Sequence, residues 1–148
     1  MNATERIEIE HACERLFTSY CHYVDHGQAE RIAELFSEDG VWRPPEVTME
    51  GQEQLRKGFG QRQSNTGRMS RHVCNNLLID VIDADHAEGT VYLTLYRHDG
   101  EPDRRVSPLE SPEMVGEYRD RFVRTPEGWR IAHREIEVNF LRRKDDRD

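Results

Sequence analysis

The chain has 148 residues, of which 34% are charged and 35% are hydrophobic, and its formal net charge at pH 7 is −8. This size fits a single domain over residues 1–148, with a frayed tail from residue 142. The acidic balance argues against nucleic acid or an anionic membrane as a partner, because both require a basic face. No apolar run reaches the roughly 20 residues of a membrane span. The N-terminus lacks a signal-peptide pattern, and three cysteines without framework spacing indicate reduced thiols, so we expect a cytoplasmic protein.

The first third of the chain has helical periodicity. Thr4 is the expected N-cap of a first helix, whose apolar residues recur at helical spacing until Gly27 ends it. A second helix is predicted over residues 28–36, followed by a turn and a short strand over residues 41–43, which two prolines stop. A third helix is predicted over residues 51–59, although its glycines weaken the helical pattern.

From residue 72 onward the hydrophobic period changes to two, which indicates β-strands. Alternating runs cover residues 72–81 and 90–96, and the short link between them indicates a hairpin. Residues 97–112 hold three prolines and are predicted to form a loop that borders a cavity mouth or an oligomer interface. Two more strands are predicted over residues 114–124 and 129–140. The order predicts an α+β fold, with three N-terminal helices packed on a strongly curved antiparallel sheet.

Five motifs, spread over nearly the whole chain, occur together in one known superfamily. They are Tyr20 with Asp25, Leu35-Phe36-Ser37-Glu38-Asp39-Gly40-Val41-Trp42, Arg71-His72 with Asn76, Gly116-Glu117-Tyr118-Arg119-Asp120-Arg121-Phe122, and Gly128-Trp129-Arg130-Ile131. In this combination the chain resembles the nuclear-transport-factor-2-like (NTF2-like) superfamily, also called the cystatin-like cone, and most closely its SnoaL-like branch. The resemblance implies a cone-shaped cavity between helices and sheet. It does not imply one activity, because this fold hosts enzymes, subunits and binding modules.

Asp25 and His72 are the candidate catalytic residues. Each lies at the end of a predicted rigid element, and a carboxylate beside an imidazole fixes the ring's tautomer and stabilises its charged form. A negative charge at a helix C-terminus also requires a compensating partner. Within the superfamily, the two residues fall where scytalone dehydratase and hexachlorocyclohexane dehydrochlorinase carry their catalytic Asp and His. The resemblance therefore implies proton abstraction by His72, without a metal or organic cofactor.

Five further residues are candidates for substrate binding: Tyr20, Trp42, Asn76, Tyr96 and Tyr118. Asn76 follows His72 by four residues, so strict alternation places both on one face of a strand. Tyr96 and Tyr118 have the parity of inward-facing residues, although parity leaves open which face of the sheet is concave. For Asn76 and Tyr20, a structural role is an equally good interpretation, and Trp42 is expected in the core or the cavity wall.

Other chemistries have weaker support in the sequence. His22 and His26 have the spacing of two metal ligands on one helix face beside Cys21, but further ligands are missing, so solvated histidines are favoured. Cys74 shares a predicted strand face with His72, and a buried inert thiol is the favoured interpretation. No dinucleotide or phosphate-binding motif is present, and we expect no cofactor and no metal. Charged residues of the second helix and the final strands are interpreted as solvent-exposed pairs.

The sequence thus predicts a cofactor-independent lyase or isomerase acting on a small, mostly apolar molecule with a cyclic or aromatic body. Two alternatives are a non-catalytic small subunit of the ring-hydroxylating dioxygenase type and a small-ligand-binding module of the same fold. An enzyme should have a closed pocket with the two catalytic candidates in hydrogen-bond reach, whereas an interaction protein should fill the cone with side chains. We also expect a homodimer or a higher homo-oligomer, with a dimer through the outer face of the sheet as the favoured form.

Overall fold

A computed structural model of the chain describes residues 1–143. Its elements follow in the order α1 (Ala3–Asp25), a 3₁₀ helix (Ala29–Leu35), β1 (Phe36–Arg43), β2 (Met49–Glu50), α2 (Gly51–Ser64), β3 (Arg68–Val81), β4 (His86–Asp99), β5 (Met114–Thr125) and β6 (Gly128–Leu141). The predicted α+β class is confirmed, because three helical segments pack against one curved sheet. None of the helices within residues 1–143 combines the length and the apolar character needed to cross a membrane.

The six strands form one sheet in the order β2-β1-β6-β5-β4-β3. The meander from β3 to β6 is antiparallel, as predicted. Strand β1, however, pairs with β6 in parallel, with Phe36 beside Ile131 and Trp42 beside Arg134. The sheet is therefore mixed, and the expectation of a wholly antiparallel sheet is wrong at this pair. Parallel neighbours require a long connection, which here consists of α2 and the whole meander.

Helix α1 begins two residues earlier than the sequence suggested. The Asn2 side chain accepts a hydrogen bond from the backbone N–H of Glu5 at 2.8 Å, and the Glu5 carboxylate accepts one from the Asn2 N–H at 3.0 Å. This capping box, and not Thr4, satisfies the first free N–H groups of the helix. At the other end Gly27 adopts a φ of +76°, the left-handed conformation in which many helices end.

The second helical segment is shorter than predicted, and β1 is correspondingly longer. The segment is a 3₁₀ helix that ends at Leu35, and Phe36 begins an eight-residue strand. The Asp39-Gly40 pair, interpreted as a turn, lies inside that strand. The pairing of β1 with β6 shifts register between Phe36 and Val41, so the strand absorbs these residues as an irregularity.

The core between α1 and the sheet contains an ion pair that the sequence analysis placed in solvent. The side chains of Asp120 and Arg134 are both 0% exposed and are joined by three N–H to carboxylate hydrogen bonds of 2.7–3.1 Å. The Arg134 guanidinium also lies 4.4 Å from the ring centroid of Tyr20 and 4.2 Å from that of Tyr118. The interpretation of the final strands as solvent-exposed pairs is therefore wrong for Asp120 and Arg134.

The loop between β4 and β5 and the start of the tail are both held in place. Arg104 donates hydrogen bonds to the carbonyl oxygens of Gly67 at 2.7 Å and His98 at 2.6 Å. Arg142, expected to fray, has a side chain only 6% exposed and forms salt bridges with Glu110 and Glu113. The rest of the predicted frayed tail, residues 144–148, lies outside the described residues.

Candidate active site

Asp25 and His72 lie in direct contact where the end of α1 meets β3. The Nδ1 atom of His72 is 2.7 Å from Asp25 Oδ1, and the backbone N–H of His72 donates to Asp25 Oδ2 at 2.8 Å. The side chain of His72 is only 11% exposed, and that of Asp25 only 5%. The contact supplies the compensating partner that a carboxylate at a helix C-terminus requires. The two oxygens of Asp25 thus hold both the ring and the backbone of the histidine.

Ser70 also forms a hydrogen bond with the Asp25 carboxylate, and it is not among the site residues predicted from the sequence. Its hydroxyl donates to Asp25 Oδ1 at 2.8 Å and accepts a hydrogen bond from Arg62 Nη2 at 3.1 Å. Burial raises the pKa of Asp25, but the hydrogen bonds and charge of His72, together with the Ser70 bond, outweigh it and hold that pKa below its ordinary value. Alternation alone would have found Ser70, which precedes His72 by two residues on one strand face.

His72 faces a cavity of about 430 Å³ between α1, α2 and the concave face of the sheet. Asp25 lies behind the histidine and is not part of the lining. The wall is mostly apolar, with polar groups concentrated on β3, β4 and the end of α2. The lining residues are Tyr20, Val24, Trp42, Pro44, Pro45, Met49, Gly58, Phe59, Gln61, Arg62, Arg68, Ser70, His72, Leu93, Leu95, Arg97, Met114, Tyr118, Ile136 and Val138.

A comparison with known protein families decides the assignment. The chain matches the family described as "SnoaL-like domain" over residues 5–135. The chain belongs to the SnoaL-like family. No curated protein matches it.

Solved structures similar to this SnoaL-like domain share its fold. A "Putative Scytalone Dehydratase" from Novosphingobium aromaticivorans DSM 12444 is 19% identical, with a TM-score of 0.80 over 95% of this chain and 91% of that chain. LinA is also 19% identical, with a TM-score of 0.77 over 95% and 92% of the two chains. An NTF2-like protein with a cystatin-like fold from Novosphingobium aromaticivorans is 24% identical, with a TM-score of 0.72 over 93% and 88%. These likenesses confirm the NTF2-like fold.

Three of the five predicted substrate-binding residues of the SnoaL-like domain line the cavity: Tyr20, Trp42 and Tyr118. The Trp42 Nε1–H donates to the Tyr20 hydroxyl at 3.2 Å, and the Tyr20 ring stands edge-on to His72 with 6.2 Å between centroids. Tyr118 packs against Tyr20 at 5.6 Å, also edge-on. Tyr20 and Trp42 therefore contact each other close to the histidine, although 22 positions separate them in the sequence.

Asn76 and Tyr96, the other two candidates, lie outside the cavity. The pairing of β3 with β4 shifts register between Asn75 and Leu78, because a β-bulge inserts one extra residue there. Asn76, with a φ of +58°, belongs to that bulge and is exposed. Tyr96 is 38% exposed and points to the outer face. The expectation that Asn76 shares the face of His72 is wrong, because the bulge breaks the alternation on which it rested.

The histidine and cysteine candidates of α1 form contacts of other kinds. The rings of His22 and His26 are stacked, with 5.5 Å between centroids, and His26 Nδ1 lies 2.9 Å from the carbonyl oxygen of His22. Cys21 Sγ contacts Cys74 Sγ at 3.5 Å, and neither thiol lines the cavity. Within residues 1–143 there is no group of three or more His, Cys, Asp or Glu side chains placed to hold a metal ion.

The loop between β4 and β5 does not line the cavity of the SnoaL-like domain. Of the predicted loop, residues 97–112, Arg97 alone lines the cavity within the described part of the chain, and Arg97 belongs to β4. Ser107 to Ser111 border a second depression together with Tyr96 and His98. Residues 100–112 thus do not line the cavity, and their position at the cavity mouth or at an oligomer interface stays a prediction.

Proposed function

We propose that this SnoaL-like domain is a cofactor-independent lyase or isomerase in which His72 is the general base. The observation that supports this most is the 2.7 Å contact of His72 Nδ1 with Asp25 at the wall of a largely apolar cavity. A cavity of about 430 Å³ fits a small molecule with a cyclic or aromatic body. The cone is not filled with side chains, as the non-catalytic subunit alternative would require, but contains a cavity with His72 in its wall.

Asp25 accepts the hydrogen of Nδ1, and the lone pair of Nε2 is then available to a bound molecule. Nε2 removes a proton from a substrate carbon, and the electron pair of the broken C–H bond forms a new double bond. In a lyase, a leaving group on the adjacent carbon departs with its bonding pair. In an isomerase, the new double bond forms as a neighbouring double bond opens, and the imidazolium returns the proton to the carbon at the far end of the opened bond. In both cases Asp25 stabilises the imidazolium.

Tyr20 is the proposed partner for the oxygen of the substrate. Its own oxygen accepts the hydrogen bond of Trp42, so the phenolic hydrogen can donate to a carbonyl or to a departing hydroxyl. Burial raises the pKa of Tyr20, which keeps the phenol protonated and therefore a donor. The name of one similar structure, a "Putative Scytalone Dehydratase", adds support for an elimination of water.

The tautomer of His72 tests the proposal without a substrate. We expect long-range ¹H–¹⁵N NMR spectra to show the neutral ring protonated at Nδ1, because Asp25 accepts from that nitrogen. The spectrum of Asp25→Asn should lose this preference. A neutral His72 protonated at Nε2 would contradict the proposal, because the nitrogen offered to the substrate would then have no lone pair.

Turnover is tested with a panel of cyclic β-hydroxy ketones and their dehydration products in D₂O, followed by NMR for water loss and for deuterium at the carbon beside the carbonyl. His72→Gln should abolish both signals, and Asp25→Asn should lower the rate by about 10²–10⁴-fold. The matched control is His86→Gln, since His86 forms the same Nδ1–carboxylate contact with Asp83 on the surface, with side chains 59% and 56% exposed. Equal activity of His72→Gln and His86→Gln would refute the role of His72.

A further inference from the structure

Three arginines, Arg62, Arg68 and Arg97, line one end of the cavity near the His72–Asp25 pair. Arg68 and Ser70 precede His72 on alternate positions of β3, and Arg97 pairs with Ser70 across the β3–β4 ladder. Successive residues on one strand face are about 7 Å apart. Along β3, Ser70 therefore lies about 7 Å from His72 and Arg68 about twice as far. This concentration of charge is unusual in a cavity whose other walls are mostly apolar.

Arg62 differs from the other two arginines in its partners. Arg68 is held by both carboxylate oxygens of Asp99, at 2.8 and 2.9 Å, and Arg97 is paired with Glu113 at 3.0 Å. Within residues 1–143, Arg62 has no carboxylate within salt-bridge distance, and its side chain donates only to the Ser70 hydroxyl, at 3.1 Å. The carboxylate behind Ser70 is that of Asp25, which His72 already engages. The other N–H groups of Arg62 are thus left for a molecule in the cavity.

The surroundings of Arg62 also favour a negative partner. Burial lowers the pKa of Arg62, and the charges of Arg68 and Arg97 lower it further. The charges of Asp25 and Asp99 oppose this lowering of the pKa without reversing it. Positive groups that repel one another in a partly buried space are stabilised when an anion binds between them. A bound oxyanion would supply that stabilisation without displacing any of the existing ion pairs.

We propose that the cavity takes a small apolar molecule bearing one carboxylate, and that Arg62 binds this carboxylate. The inference rests on the proposed function insofar as it assigns a substrate class to the same cavity. The positive charge of Arg97 also attracts the carboxylate, while the aromatic side chains of Tyr20, Trp42 and Phe59 contact the ring of the bound molecule. The guanidinium fixes the anionic end, and the reacting carbon of the ring lies beside His72. Arg62 is therefore a specificity-determining residue.

Equilibrium binding of two nearly isosteric probes, 2-naphthoate and neutral 2-naphthamide, tests this by isothermal titration calorimetry. We expect the wild-type chain to bind the carboxylate about tenfold or more tightly than the amide, because hydrogen bonds to charged groups contribute at least that much. In Arg62→Gln the preference should disappear while the amide binds as it does to wild type. Arg62→Lys should restore part of the preference, because it keeps the charge but loses the planar fork.

Arg56→Gln is the matched control, since Arg56 is an exposed arginine of the same helix and its loss changes the net charge equally. It should keep the full preference. The proposal is overturned if wild type binds both probes equally or neither, if Arg62→Gln retains the preference, or if Arg62→Gln loses amide binding too. His72→Gln should also keep the preference for the carboxylate. For this comparison the turnover panel includes cyclic β-hydroxy ketones that carry a carboxylate on the ring. No turnover of any panel member, with the preference for 2-naphthoate intact, would remove the general-base proposal alone. Turnover without that preference would remove the carboxylate proposal alone.

Discussion

Replacement of Asp120 by asparagine should be one of the most destabilising isosteric changes in this fold. Asn fits the same space but leaves the charge of Arg134 in the core with no carboxylate to compensate it. Both side chains are 0% exposed, and three hydrogen bonds join them. Breaking a buried pair at one partner typically costs about 3–5 kcal/mol of unfolding free energy. For a chain of this length, that loss corresponds to a melting temperature lower by about 6–20 °C.

The surroundings of the pair set the size of this effect. Burial raises the pKa of Asp120, and the charge and hydrogen bonds of Arg134 oppose that rise. In the wild type the same carboxylate raises the pKa of Arg134 despite its burial. The variant loses this opposing charge, but an arginine side chain does not lose its proton in proteins, so the guanidinium stays charged and unpaired. Its contacts with the Tyr20 and Tyr118 rings survive and contribute about 1–2 kcal/mol each, which keeps the expected loss from being larger.

Urea unfolding, followed by tryptophan fluorescence and far-ultraviolet circular dichroism, measures the loss. The control is Glu137→Gln, which removes a carboxylate from the exposed Arg119–Glu137 pair of the neighbouring strands and should cost less than about 1 kcal/mol. The double variant Asp120→Leu with Arg134→Met should recover much of the stability, because it leaves no unpaired buried charge. A loss from Asp120→Asn no greater than that of the control would refute the reasoning.

Three further outcomes follow from individual residues. The lowered pKa of Asp25 stabilises the fold above the ordinary value of 3.8, and this contribution is lost as the pH falls toward the lower folded pKa. The unfolding free energies of wild type and Asp25→Asn should therefore converge as the pH falls from about 5 through 3.8 toward the lower folded pKa, and parallel curves would contradict this. Gly60→Ala, where an added Cβ meets no atom within 4 Å, should raise the melting temperature, whereas Gly116→Ala, where it falls 2.0 Å from the Glu137 carbonyl oxygen, should lower it. We expect a homodimer by light scattering at micromolar concentration, and Tyr92→Glu, on the exposed outer face, should shift it toward monomer, while a wild-type monomer would refute the expected assembly.

The fold was largely predictable because its signals are local. Hydrophobic period distinguishes helix from strand, and Gly27 ends α1 through its own backbone conformation. The parallel neighbour of β1 was not predictable, since nothing within residues 36–43 encodes a partner at residues 131–135. The same limit explains why Asp120 and Arg134 were placed in solvent. Such a pair is buried because two charged residues face each other on neighbouring strands. The sequence of either strand alone does not show which residues will face each other.

Some residues of the candidate site were likewise predictable from the sequence, and others were not. Asp25 and His72 were identified because a motif and a helix-end charge both pointed to them. Asn76 was misplaced because one extra residue in β3 moves every later side chain to the opposite face, and a period-two pattern cannot show where such a residue falls. Arg62 gave no signal, since an arginine near the end of a polar helix is ordinary until the strand beneath it is known.

The parallel contact of β1 with β6 affects how the chain acquires its shape during synthesis. Phe36 pairs with Ile131, which follows it by 95 positions. The Trp42 side of the cavity therefore gains its neighbouring strand only when nearly the whole polypeptide has left the ribosome. Contacts between distant parts of a chain form slowly, because a long loop must close first. Until then, the edge of β1 that pairs with β6 has no hydrogen-bonding neighbour, and we expect a nascent chain that stalls before β6 to expose this edge to chaperones.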